Sequence, residues 1–141
     1  MKKVFLDTNV LLDVLLERHP FCQSAQLLWS KAEKKEIQAA VSAISISNVY
    51  FIMKKLSNNE KAQLAVETLI KIFKIVEVNS RIIRKALKAQ FSDFEDAIQY
   101  ACALECKSEA IITRDPAGFK KGTLLVMECA QFLSLPLPSS H

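Results

Sequence analysis

Short apolar runs alternate with longer amphipathic stretches along the chain. Residues 3–6 are apolar on both sides, as a central parallel strand should be, and they end abruptly on Asp7. A helical pattern follows at once over 8–17, with Leu11, Leu12, Leu15 and Leu16 on one face. It breaks at Arg18-His19-Pro20, because proline disfavours helix in the residue before it and suits the first turn of the next helix. That next helix is predicted over 21–33, with Ala25, Leu28, Trp29 and Ala32 at core spacing. A second strand is expected over 37–42, then a helix over 45–56 in which Ile46, Val49, Tyr50 and Met53 repeat at three and four. Ser57-Asn58-Asn59 is a turn and cap before a long amphipathic helix over 60–73. A third strand is placed over 75–78. Ser80 then caps a short basic helix over 81–88, with Ile83 and Leu87 inward and Arg81, Arg84, Lys85 and Lys88 outward. Ser92 opens an acidic helix reaching to about 106. Residues 110–113 and 123–126 read as the fourth and fifth strands, and 129–133 as a last helical turn.

Strands alternating with helices predict an α/β sandwich around a mostly parallel sheet of four to five strands. At 141 residues the chain makes one domain, set at 1–134, with a loose tail over 135–141. Only two residues are glycine, Gly118 and Gly122, which excludes a glycine-rich phosphate loop or dinucleotide fingerprint. The net charge of +4 permits a polyanionic partner without demanding one. Cys22, Cys102, Cys106 and Cys129 show no zinc-type spacing and read as free thiols in a reducing compartment. No signal peptide opens the sequence and no apolar run approaches the ~20 residues of a membrane span, so a cytoplasmic location is expected.

The acids carry the chemistry. In an open parallel sheet ligands bind outside the carboxyl ends of the strands, and right-handed crossovers bring those ends to one edge. Asp7 ends the first strand, Asp115 follows the fourth, and Asp96 lies in the first turns of the acidic helix, three residues after Asp93. Carboxylates gathered at one edge repel one another unless a cation lies between them, and Mg²⁺ suits an all-oxygen site. Each acid also has a plainer role. Asp7 can cap the following helix, and Ser92-x-x-Glu95 matches a capping box that would return Glu95 to the backbone. Asp93 at the first helical position gains from the helix dipole, and Asp115 before Pro116 can be a turn residue. The two histidines, His19 and His141, are far apart, and Ser45 and Ser47 have no nucleophile-elbow context. The basic helix over 81–88, with Arg81, Arg84, Lys85 and Lys88, is either a solvated face or a contact to a phosphate backbone.

Val4-Phe5-Leu6-Asp7-Thr8-Asn9-Val10-Leu11-Leu12 resembles the opening of PIN domains. Asp93-Phe94-Glu95-Asp96-Ala97 and Ile111-Ile112-Thr113-Arg114-Asp115 resemble the later acidic motifs of that family, in the same order. The resemblance implies a three-layer α/β/α fold and a Mg²⁺- or Mn²⁺-dependent ribonuclease, usually dimeric. Small members of this size are commonly the toxin of a VapBC-type toxin–antitoxin module, which adds an antitoxin protein as partner. Carried over, Asp7, Asp96 and Asp115 are the metal-binding acids, and Thr8, Asn9 and Thr113 are polar neighbours. The implied reaction is in-line attack of a metal-activated water on an RNA phosphodiester, without a covalent enzyme intermediate. One position departs from the pattern. Many PIN domains carry a glutamate in the helix after the second strand, where this chain has Asn48. An amide brings no negative charge, so metal affinity is expected to drop, with Asp93 a candidate to make up the loss. Asn48 therefore keeps a second function class open, a PIN-like RNA- or protein-binding module without catalysis. A third, a phosphohydrolase with a nucleophilic aspartate, expects a second acid two residues after the first, where Asn9 stands.

Overall fold

The computed structural model describes residues 2–119 and 122–136. Five parallel strands are β1 (Lys3–Leu6), β2 (Gln38–Ser42), β3 (Lys74–Val76), β4 (Ala110–Ile112) and β5 (Leu125–Met127). They form one sheet in the order β3-β2-β1-β4-β5. Between β1 and β2 run α1 (Thr8–Leu15) and α2 (Cys22–Glu33). Between β2 and β3 run α3 (Ala43–Leu56) and α4 (Asn59–Ile72), and between β3 and β4 run α5 (Ser80–Ala89) and α6 (Phe94–Glu105). A 3₁₀ turn (Pro116–Phe119) follows β4, and α7 (Cys129–Leu133) follows β5. The three-layer α/β/α arrangement follows from β1 being buried on both faces. Val4 and Leu6 point into a core with α1, α2, α3, α4 and α7, while Phe5 points into one with α5 and α6. No described helix is long and apolar enough to cross a membrane.

The topology also fixes where a ligand can sit. After β1 the chain builds outward to β2 and β3, then returns to lay β4 on the other side of β1. The crevice between the carboxyl ends of β1 and β4 is the switch point where parallel α/β sheets bind ligands. The registers Phe5–Ile111 and Leu6–Ile112 put the two strand ends level.

Several helix boundaries differ from those expected, and the caps explain why. Asn79, rather than Ser80, caps α5 by accepting from the Ile82 N–H (3.0 Å). Its buried residues are Ile82 and Ala86; Ile83 packs half-buried against the same core, as expected, while Leu87, expected inward, is 64% exposed. Small Ala86 allows α5 to pack closely on α6, and a leucine there would hold them apart. Asp93, rather than Ser92, caps α6 by accepting from the Asp96 N–H (3.0 Å), so Asp93 precedes the first helical residue. The capping box expected from Ser92 and Glu95 does not form, because Asp93 and Asp96 already hold the cap and third-residue positions. With glycine so scarce, Glu17, Lys35, Gln90 and Lys107 take the left-handed conformation just beyond α1, α2, α5 and α6. The four cysteines are free, Cys22 and Cys102 being buried and Cys106 and Cys129 half-buried. Burial first, then neighbouring negative groups, pushes the Cys102 and Cys129 thiols up to about 12, which leaves them unreactive. Of the tail expected over 135–141, residues 137–141, with His141, lie outside the described residues.

Candidate active site

Asp7 is the best-fixed acid of the edge. Its Oδ1 accepts from the Thr8 N–H (2.8 Å), capping α1, and from Gln99 Nε2 (3.2 Å). Its Oδ2 accepts from the Thr113 hydroxyl (2.9 Å). The Thr113 oxygen in turn accepts from the Asp115 N–H (3.1 Å), so one buried hydroxyl ties the end of β1 to the loop after β4. Asn9 Oδ1 is 3.4 Å from the Arg114 N–H and braces the same loop. Beneath Asp7, Gln99 Nε2 also reaches Ser45 Oγ (2.9 Å) and Thr8 Oγ1 (3.4 Å), and the two hydroxyls lie 2.7 Å apart. Gln99 and Ser45 are fully buried, so this network is a floor and not a binding surface.

Above the floor lies a cleft of about 370 Å³ lined by Asp7, Thr8, Asn9, Asn48, Asp93, Glu95 and Asp96, with Leu12 and Ile52. Asp115 and Thr113 do not line it. Asp115 is exposed and meets Asp96 over Gly118. A Cβ built on Gly118 would stand 2.6 Å from Asp96 Oδ2 and 3.5 Å from Asp115 Oδ2. The bare glycine keeps open the space where these carboxylates converge. Gly118→Ala is therefore expected to swing the Asp96 carboxylate aside and weaken divalent-cation binding. The displaced atom ends a rotatable side chain and no glycine has positive φ, so the melting temperature should change little. Parallel Mn²⁺ titration and thermal unfolding of the variant check both halves.

The electrostatics are one-sided. Burial, then the charges of Asp93, Asp7, Asp115 and Glu95, raise the Asp96 carboxyl to about 6. Among the described residues no lysine or arginine pairs with any of these five acids. Nor does any described group of three acids, histidines or cysteines close into a ready metal cage. That combination fits a hydrated hard cation such as Mg²⁺, which uses one or two carboxylates and otherwise waters and substrate phosphates. It does not fit a closed four-ligand zinc site.

The structure gathers Asp7, Thr8, Asn9, Asn48, Asp93 and Asp96 around one cleft and leaves the basic helix outside it. On α5, Arg81 and Lys85 both pair with Glu105 at the far end of α6. Nine residues separate Glu105 from Asp96, or roughly 13 Å of helix rise. Arg84 and Lys88 are exposed. Three residues here were not expected at the site: Gln99, Ser45, weighed only as a nucleophile, and Glu95, expected to return to the backbone. Gln99 was detectable as a lone amide in the apolar run after Asp96, three residues on and so on the same helix face. Ser45 and Glu95 gave no such signal, because their partners lie far away in sequence.

The PIN domain family model matches residues 3–117. Ribonuclease VapC1 of Aquifex aeolicus is 26% identical over 84% of this chain and 85% of its own. Among solved structures, a toxin–antitoxin complex from Klebsiella pneumoniae is 26% identical, with a TM-score of 0.67 over 89% of this chain and 97% of that one. FitAcB from Neisseria gonorrhoeae shares the fold with a TM-score of 0.69 at 17% identity, over 90% and 98% of the two chains.

Proposed function

The chain belongs to the PIN-domain family, and we propose that it is a divalent-metal-dependent endoribonuclease, the toxin of a VapBC-type toxin–antitoxin pair. The observation that carries the reading is the cleft at the carboxyl end of β1, where unneutralised acids surround a rigidly held Asp7. The likeness to a named ribonuclease and to a toxin–antitoxin complex supports the substrate class and an antitoxin partner. A cytoplasmic location and a homodimer belong to the same reading, as does a single domain over 1–134.

Asp7, Asp96 and Asp115 are assigned to hold the cation, Mg²⁺ or Mn²⁺. When bound, such an ion lowers the pKa of a water and neutralises charge on the phosphate under attack. The protein's own part is positional. Three donors hold the Asp7 oxygens, so this acceptor enters the reaction with little left to reorganise. Thr113 couples Asp7 to the Asp115 loop, and Gly118 leaves Asp96 and Asp115 free to face the same space. Asp96, raised to about 6, is ionised at neutral pH and ready to accept the ion.

Water attack and attack by the RNA 2′-hydroxyl leave different ends. RNA fragments made by this protein should carry no 2′,3′-cyclic phosphate at any time point, as read by mass spectrometry. Accumulation of the cyclic phosphate would sink the water mechanism. The non-catalytic binding module draws its support from Asn48, but Glu95 restores a carboxylate beside that residue.

A further inference from the structure

We propose that Glu95, tethered by Asn48, is a further carboxylate of the metal site, and that Asn48 is the residue that positions it. This rests on the metal-dependent reading above and deepens it. Asn48 on α3 donates from Nδ2 to Glu95 Oε1 on α6 at 2.6 Å, joining the two helices. Both side chains line the same cleft as Asp7, Asp93 and Asp96. Glu95 is the second residue of α6, exposed, with a flexible side chain that loses rotamer freedom when held.

Other uses of Glu95 fail on the geometry. The cap of α6 is filled by Asp93, whose Oδ1 takes the Asp96 N–H. No described lysine or arginine pairs with Glu95, and its Oε2 has no hydrogen-bond partner among the described residues. Asp93, expected to supply the charge missing at position 48, commits one oxygen to that cap. Holding one more negative charge beside four others is unfavourable in the empty protein and becomes favourable only with a cation among them. The donor amide on α3 thus does for Glu95 what outer hydrogen bonds do for metal-binding carboxylates elsewhere: it fixes which way an oxygen faces. The charge that α3 lacks at position 48 is delivered from α6.

The test is calorimetric titration of Mn²⁺ into metal-stripped full-length protein at neutral pH. The set comprises wild type, Asp96→Asn, Glu95→Gln, Asn48→Ala, Glu95→Gln with Asn48→Ala, and Glu95→Gln with Asn48→Glu. Glu95→Gln and Asn48→Ala should each weaken binding by ~10-fold or more, the scale set by groups that orient metal ligands. The double variant with alanine should bind no more weakly than Glu95→Gln alone, because Asn48 acts through Glu95. Asn48→Glu should restore most of the affinity lost in Glu95→Gln, which a merely structural role does not explain. Wild-type affinity in Glu95→Gln, with binding lost in Asp96→Asn, would overturn the role of Glu95 while leaving the metal site standing. Undiminished binding in Asp96→Asn would mean that the cation is held by other acids and would overturn this inference, and no binding by wild type would overturn the metal reading itself.

Discussion

Asp96→Asn is expected to abolish saturable Mn²⁺ binding and, in the same molecule, to stabilise the metal-free protein at neutral pH. The first effect follows from removing an anionic oxygen from the convergence over Gly118, and should exceed the ~100-fold upper range seen when only a supporting group is lost. The second follows from linkage. The folded Asp96 carboxyl titrates at about 6 against 3.8 in a free chain, so between these values the folded state holds a proton that the unfolded state has released. Its stabilising contribution is present below pH 3.8 and is lost as pH rises through about 6. At neutral pH the charged, crowded carboxylate is a liability that asparagine removes. Because the side chain is only partly buried, solvent screening reduces the gain to about 1 kcal/mol. In the wild type, proton and cation compete for this oxygen, so Mn²⁺ affinity should fall steeply below pH 6. Thermal unfolding with and without Mn²⁺, on both sides of pH 6, checks all of this. A metal-free variant less stable than wild type at neutral pH would count against the repulsion described here.

Asp13→Ala is expected to destabilise the fold markedly although Asp13 lies outside the acidic cleft. Asp13 is buried, 1% exposed, on the core side of α1. Its Oδ2 lies 3.0 Å from Arg114 Nε, and Arg18 Nη1 stands 4.0 Å from Oδ1. The Arg114 Nε–H does not aim at the carboxylate, and Oδ1 has no hydrogen-bond donor among the described residues. Burial therefore raises the Asp13 carboxyl more than the two arginines lower it. The Arg114 guanidinium also lies over the Phe21 ring, 4.2 Å from its centre, so the pair joins α1 and the start of α2 to the loop that bears Asp115. Removing one partner of a buried pair costs ~3–5 kcal/mol. Arg114 keeps 29% of its side chain in solvent, so about 2–3 kcal/mol is expected. Urea unfolding should show a lower midpoint with an unchanged slope. In an Arg114→Met background the same change should cost distinctly less, and an equal cost would deny the coupling.

The parallel α/β sheet was legible because each strand is a short apolar run bounded by polar residues, as at 3–6 before Asp7. Helix faces were less so where apolar residues come in adjacent pairs. On α5, Ile82 with Ala86 and Ile83 with Leu87 both satisfy helical spacing, and leucine's larger size favours the second pair; the structure buries Ile82 and Ala86, half-buries Ile83 and leaves Leu87 exposed. The α6 cap was misread because Ser92 and Asp93 are both good caps one residue apart, and only backbone geometry chooses between them. Asp7, Asp96 and Asp115 stood out as acids at strand and helix ends. What they stand on did not. Gln99 reaches Asp7 across 92 positions, Thr113 across 106, and Asn48 meets Glu95 across 47, distances over which no periodicity carries information. The space over Gly118 was equally invisible, since a glycine after Pro116 reads as a turn.

Metal-stripped protein incubated with an RNA pool of randomised sequence, with and without Mn²⁺, beside Asp7→Asn, tests the ribonuclease reading most directly. Wild type should cut the pool only when the cation is restored, and Asp7→Asn should not cut under either condition. Cutting that survives excess chelator or the loss of Asp7, or an intact pool in every lane, would contradict a metal-dependent ribonuclease centred on this edge of the sheet.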